Sequence, residues 1–475
     1  MADDTIKIHD ETLRDGTQSL WGMMMGHWML QPPMKEIGEA GYDSIDLPMH
    51  IAQPMIHVRF FQEDPRIAFR MYSKEIGDTK SKVYALPSMG VMQDITGGYS
   101  NKTMIRLGLE VFTKIMPQFN SCFMMCCDSD QVKNHFPVIF PLYREFGVEP
   151  VPYLAIGHTP RHNDEFYANA VREIRDKYQP KEMVIKDVNG LLTPERVRTL
   201  VPTFQENCGD AEIMTHFHGM NGLNTYNTVV SMELGVRKFT TCTPPLAYSS
   251  SHPSVFDIIK NAEEMGLSHN MDVKKLESIS DKLYRIGKAY GHPVDNHPLP
   301  FDLFTYKHQI PGGVISNTRT QLKQLGHEDK MQAVLEEIPT MLEEMGNPIM
   351  ITPFSQFIVT QAVLNVISKE RWSEILDSMV EFACGIYGWE EAGVPYMDKN
   401  LYDKIMSLPH AKKVKDKADR QLEYLHSEPP LDKIKAEWNM LSASDEDFFF
   451  TFLLHGDQEL KKVTPGGPDT YKKYI

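Results

Sequence analysis

The sequence predicts an α/β protein: a (β/α)8 barrel followed by a mainly helical C-terminal domain. Three observations lead there. Short apolar runs recur eight times in the first 245 residues, helix-like segments separate them, and past residue 250 helical periodicity takes over. Eight strand–helix units of about thirty residues each is the arithmetic of a closed barrel. A chain of 475 residues is also too long for one ordinary core, so a barrel with an appendage suits its length. The reading places the barrel at 1–300 and the helical domain, with its tail, at 301–475.

The runs are TIKIHD (5–10), YDSIDL (42–47), KVYAL (82–86), SCFMMC (121–126), EPVPYLA (149–155), EMVIK (182–186), EIMTHF (212–217) and RKFTTCT (237–243). Helices are predicted between them, as at MIRLGLEVFTKIM (104–116) and at 163–178, where Asn163 is an N-cap candidate before apolar residues at three- and four-residue steps. Further helices are predicted at 272–290 and 330–345, and the Pro-, Gly- and His-rich stretch 291–320 is the passage into the second domain. The lysine-rich stretch 408–430 reads as a solvated helical face, and VTPGGPDTYKKYI as a tail.

Composition narrows the function. Hydrophobic content of 41% with 24% charged residues is the profile of a globular enzyme. A formal net charge of -15 repels phosphate backbones and argues against nucleic acid as a partner. No apolar run reaches the length of about 18 residues that a membrane span needs. The N-terminus has neither the basic nor the apolar region of a signal peptide, and six scattered cysteines form no zinc-spaced pairs, so the cytoplasm is the expected compartment.

A barrel of this kind carries its chemistry at the C-terminal ends of its strands. Asp15 and Gln18 follow the first run, Lys186 ends the sixth, and His216 and His218 end the seventh. Alternate strand residues share a face, so the two imidazoles point the same way. An aspartate with two imidazoles is a reasonable ligand set for a divalent transition metal. Lys186 has two readings: a salt bridge to a carboxylate such as Asp187, or a neutral amine that takes up carbon dioxide and becomes an anionic carbamate ligand.

DETLRDGTQSLWGMM (10–24) resembles the opening motif of the barrel metalloenzymes that include hydroxymethylglutaryl-CoA lyase, isopropylmalate synthase and the biotin-dependent carboxyltransferases. VIKDVNGLL (184–192) is similar to the carboxyltransferase branch, and KHQIPGGVISNTRTQL (307–322) and ITPFSQFIVTQAVLNV (351–366) resemble the second domain of the oxaloacetate decarboxylase alpha subunit and of the pyruvate-side subunit of transcarboxylase. The resemblance covers about residues 5–410. It implies that Asp15, Lys186 as a carbamate, His216 and His218 ligate zinc, manganese or cobalt. It implies that Arg14 and Gln18 hold the enolate oxygen of the acceptor, that Arg59 meets the substrate, and that Thr352 relays a proton between biotin and the substrate carbon, with Ser355 and Gln356 beside it. Read alone, Thr352 is more readily a helix N-cap, and it is the full motif that favours the relay. Cys126 and Cys127 read as packing thiols, and His308 either as a ligand contact or as a shaper of the turn before Pro311.

Three loops depart from the pyruvate-handling pattern: DLPMHIAQP (46–54), ALPSMGVMQD (85–94) and the residues 125–128. The resemblance with these departures implies kept chemistry and a changed acceptor, larger or less polar than pyruvate. No Ala-Met-Lys-Met biotinylation motif occurs, residues 411–475 do not read as a lipoyl-like β domain, and no phosphate-binding GxxxxGK[ST] loop is present. Biotin is therefore expected on a separate carrier protein, charged by a separate biotin carboxylase subunit, and relatives imply a homodimer. The reaction runs as carboxyl transfer or as decarboxylation. The alternative is a biotin-independent aldol- or Claisen-type lyase or synthase acting on an acyl-CoA, which shares DETLRDG and HxH but has no need of HQIPGG, TPxSQ or the lysine.

Overall fold

A computed structural model describes residues 4–49, 52–85, 100–126, 130–351, 353–390 and 392–454. All eight apolar runs are strands: β1 Thr5–Asp10, β2 Ser44–Asp46, β3 Lys82–Ala85, β4 Phe119–Cys126, β5 Glu149–Ala155, β6 Glu182–Asp187, β7 Glu212–Phe217 and β8 Lys238–Thr241. Each pairs in parallel with its sequence neighbour, and β8 and β2 both pair with β1, which closes the ring. The strands are buried on both faces, which is why they read as near-continuous apolar runs rather than alternating ones.

Helices fill the crossovers where local chemistry starts them. The Asn163 side chain accepts from the Phe166 N–H and caps the helix Asp164–Tyr178, and Thr193 caps Pro194–Asn207 with proline in its first turn. After β8 the periodicity turns helical, yet the next long helix is still barrel wall. Val273–Tyr290, capped by Asp272, packs against His27–Glu39, and Lys282 reaches Glu36 at 2.6 Å. A two-residue strand, β9 Ser268–His269, pairs with the start of β1. The passage at 291–320 follows this wall.

The helical region sits on the C-terminal end of the barrel. Arg161, just after β5, donates to the carbonyls of Gly346 and Asn347 at 2.8 and 2.9 Å. Gln309 donates to the His158 carbonyl at 3.1 Å, and Asn221, after β7, donates to the Tyr306 hydroxyl at 2.8 Å. Helices Met331–Glu344 and Phe354–Ile367 pack on each other, and Arg371 ties Glu337 to Glu344. Beyond them the chain returns down the outside of the barrel. The Ser427 carbonyl accepts from the Lys102 N–H, and Phe449 and Phe450 of helix Asp445–Leu453 meet Phe112 and Phe69 at 5.8 and 6.0 Å. No helix of the described residues is long and apolar enough to cross a membrane.

Candidate active site and metal centre

Inward-facing side chains fill the barrel in layers. The bottom holds Glu182, Lys238 and Lys82 joined as ion pairs. Above lie rings: Tyr84 against His9 at 4.8 Å, and Phe123 against Tyr153 at 4.3 Å. The top layer is where the sequence-derived residues meet.

Asp15 does not come from a strand. It lies in a π-helical turn, Thr12–Gly16, that follows β1. Thr12 anchors the turn, donating to Asp10 while its oxygen accepts from the Thr243 N–H at 2.8 Å. Wide helical turns of this kind recur at functional sites. The turn aims Asp15 over the barrel mouth, where its Oδ2 lies 3.3 Å from His216 Nε2 and 3.5 Å from His218 Nε2.

Lys186 and His216 are direct register partners on β6 and β7. Their side chains meet, with Lys186 Nζ 2.8 Å from His216 Nε2. The Lys186 nitrogen also lies over the Phe123 and Tyr153 rings at 4.8 and 5.3 Å. Burial lowers its pKa to about 8, against the pull of Asp15. Asp187 is not its partner. It accepts from the N–H groups of Leu191 and Leu192, at 2.9 Å each, and so shapes the loop after β6.

A third imidazole joins the cluster, one that the sequence reading missed. His252 comes from the loop after β8 and places Nε2 3.4 Å from Asp15 Oδ2. The ligand atoms of Asp15, His216, His218 and His252 all lie within 4.8 Å of one another. The only signal for His252 was its place in the loop after strand eight, on the face where barrels do chemistry. A lone histidine in YSSSHPS carries no spacing pattern.

The tautomers follow from the outer contacts. His218 Nδ1 faces the Ser250 carbonyl at 2.8 Å, and His252 Nδ1 faces the Phe217 carbonyl at 3.3 Å. A carbonyl only accepts, so each Nδ1 carries the proton and each neutral Nε2 presents a lone pair. Burial holds His216 well below the usual imidazole range and His252 at about 4, so both are neutral. Burial opposes ionisation of Asp15, but Arg14 and the imidazoles outweigh it and hold the carboxyl well down. Acceptor atoms thus converge on a carboxylate, an arrangement that a divalent cation satisfies.

Gly219 makes the convergence possible. A Cβ there would stand 2.4 Å from the Ser249 carbonyl, so only glycine lets the loop after β8 lie against the end of β7.

Arg14 is buried, 2.6 Å from Asp15, and 3.6 Å from both Glu11 and Asp46. It therefore neutralises a second buried acidic group formed by His9, Glu11 and Asp46. Gln18 is exposed, and Arg59 is exposed in the last turn of helix Ala52–Phe61. Ser355 is buried in the first turn of Phe354–Ile367, 3.3 Å from the exposed Gln356 side chain. The Nδ1 of His308 accepts from the Ile310 N–H at 3.1 Å, which is the turn-shaping role. Thr352 lies outside the described residues. So do residues 50 and 51, residues 86–94, Cys127 and Asp128, and the side chains of Met125 and Cys126. The described cysteines Cys122, Cys208, Cys242 and Cys384 are buried and free.

Comparison with known proteins bears on the fold. Residues 305–461 match a family described as conserved carboxylase domain. The chain is 27% identical over 410 residues to a pyruvate carboxylase subunit of Methanocaldococcus jannaschii, covering 84% of this chain and 69% of that protein. It is 26% identical over 412 residues to the 2-oxoglutarate carboxylase large subunit of Hydrogenobacter thermophilus, covering 84% of this chain and 60% of that protein. Among solved structures, it matches the carboxyl transferase domain from Rhizobium etli pyruvate carboxylase with pyruvate and biocytin. That match has a TM-score of 0.79 and 18% identity, and covers 99% of this chain and 80% of the other. The fold is thus the carboxyltransferase barrel with its helical C-terminal region.

Proposed function

We propose that this chain, a relative of the biotin-dependent carboxyltransferases, moves a carboxyl group between biotin and an enolisable acceptor of the 2-oxoacid class. The observation that carries the reading is the convergence of Asp15, His216 and His218 with Lys186 at the barrel mouth, beneath the helical region. A divalent cation (zinc, manganese or cobalt) bound there supplies electrostatic stabilisation for the negative charge that develops when an acceptor enolises.

The chain's own residues do the rest. Asp15, His216 and His218 hold the cation, and Lys186 joins them as a carbamate. Arg14, locked by Glu11, Asp15 and Asp46, presents a fixed positive charge to the acceptor oxyanion without having to reorganise. Gln18 and Arg59, both exposed, reach for the acceptor. The Thr352 hydroxyl shuttles the proton between biotin and the substrate carbon, with Ser355 and Gln356 beside it at the opening of a helix. Division of labour follows the division of the chain: the barrel (1–300) supplies the charges, and the helical domain (301–475) completes the funnel that admits biotin.

Biotin arrives on a separate carrier protein that a biotin carboxylase subunit charges, and the chain works as a homodimer. Similar identity to relatives named for pyruvate and for 2-oxoglutarate supports a fold that accommodates acceptors of different size. The Met- and Pro-rich loops at 46–54 and 85–94 favour an acceptor larger or less polar than pyruvate. A biotin-dependent decarboxylation screen over a panel of 2-oxoacids and malonyl-type thioesters tests this, with Thr352→Ala as control. Turnover that needs biotin, prefers an acceptor other than oxaloacetate and collapses in the variant is expected. Full activity without biotin would favour the lyase reading, and full activity of Thr352→Ala would remove the relay.

A further inference from the structure

We infer that His252 is a cation ligand, so that a third imidazole joins His216, His218, Asp15 and Lys186 in the centre. This deepens the metal site proposed above and rests on it. Three observations point the same way. His252 is fully buried, and its Nε2 has no hydrogen-bond partner although it faces the cluster. Leaving a buried polar nitrogen unmet is costly, so the position needs a reason. That nitrogen lies 3.4 Å from Asp15 Oδ2, about as close as the Nε2 atoms of His216 and His218 at 3.3 and 3.5 Å. The His252 ring also packs against both other rings, with centroids 4.2 Å from His216 and 4.3 Å from His218.

The loop that carries His252 is built to hold it there. The Tyr248 N–H donates to the His252 carbonyl at 2.9 Å, and the Ser251 hydroxyl donates to the Leu246 carbonyl at 2.7 Å. Tyr248 and Ser249 both take positive φ, a left-handed turn that costs energy in residues other than glycine. The Phe217 carbonyl, one residue past His216 on β7, fixes the ring through Nδ1. This is the usual outer support of a metal-bound imidazole. The same loop orients a second ligand, since the Ser250 carbonyl holds His218. Asp15, His216, His218 and His252 thus offer four donors from unmodified side chains, and the Lys186 carbamate proposed above would add a fifth.

The test loads the full-length protein with zinc and counts imidazoles by X-ray absorption fine structure. Three histidines in the wild-type signal are expected, whereas two with bound zinc would overturn the assignment and leave the site of the proposed function standing. Cobalt(II) titration then compares variants, with circular dichroism as the fold control. His252→Ala is expected to weaken cobalt affinity at least tenfold and to shift the visible d–d bands. His252→Gln, which keeps volume and polarity, should show the same band shift. Unchanged affinity and bands in both variants, with cobalt lost in His218→Ala, would overturn the role of His252 alone. A wild-type protein that takes up neither metal would overturn the centre itself.

Discussion

Strand β6 carries a charged residue at each end of the barrel, and the two ends treat it differently. At the N-terminal end, Glu182 meets Lys238 at 2.7 Å and Lys82, and its Oε2 accepts from the Tyr84 hydroxyl at 2.9 Å. Lys238 also meets Asp43 at 2.7 Å, and Lys7 meets Glu212 at 2.6 Å. Acids and bases match. Burial alone would raise the Glu182 carboxyl, but the two lysines outweigh it and hold it at about 2. At the other end, Lys186 and Arg14 face Glu11, Asp15 and Asp46, and three imidazoles present acceptor nitrogens to a carboxylate. Glu11 Oε2, His216 Nδ1 and His252 Nε2 lack hydrogen-bond partners there. The same residue types make a closed network below and an open, acceptor-rich one above. Buried charge that is balanced holds the barrel together, while the unbalanced cluster is available for chemistry.

The contrast breaks most sharply at Asp15. Asp15→Ala is expected to lose the bound cation and at least about a thousandfold in turnover, with an unfolding midpoint close to wild type under chelating conditions. Metal analysis and steady-state kinetics check it. Lys186→Met comes next, with a loss in turnover on the order of a hundredfold and the fold retained, because the methionine stem keeps the packing against Phe123 and Tyr153. Restoration of activity by raised bicarbonate in the wild type, and not in the variant, would sharpen the carbamate assignment.

The N-terminal end should respond in the opposite way. Glu182→Gln leaves the fully buried Lys238 with Asp43 alone, and is expected to cost about 3–5 kcal/mol of stability while sparing metal content. Urea denaturation with parallel metal analysis measures both. The smallest effect is on pH. Because the folded Glu182 carboxyl titrates at about 2 rather than 4.5, its contribution is complete above the unfolded value and is lost as pH falls from there toward 2. That contribution is about 3 kcal/mol. The slope of stability against pH between 5 and 3 should flatten in Glu182→Gln.

Legibility in the sequence followed physical cause. Parallel strands buried on both faces read as near-continuous apolar runs, so all eight could be picked out along the sequence. The Asn163 cap was visible because capping needs a particular side chain at a particular place. His216 and His218 declared themselves by alternation on a strand, and Lys186 by its position at a strand end. His252 did not, because loops impose no period, and its role depends on the bend that brings residues 248–252 against Gly219. Glu11 and Asp46 were likewise silent until the barrel closed and brought both to Arg14. The periodicity at 272–290 marks the helix Val273–Tyr290 but not its place against His27–Glu39, because periodicity reports an element's type and not the surface it packs on.

The most direct test is anomalous diffraction at the zinc edge from crystals grown with zinc. A single peak within bonding distance of Asp15, His216 and His218, at about 2.0–2.2 Å from their ligand atoms, is the expected result. A map with no peak among those three side chains, or with zinc held only elsewhere on the molecule, would contradict the account.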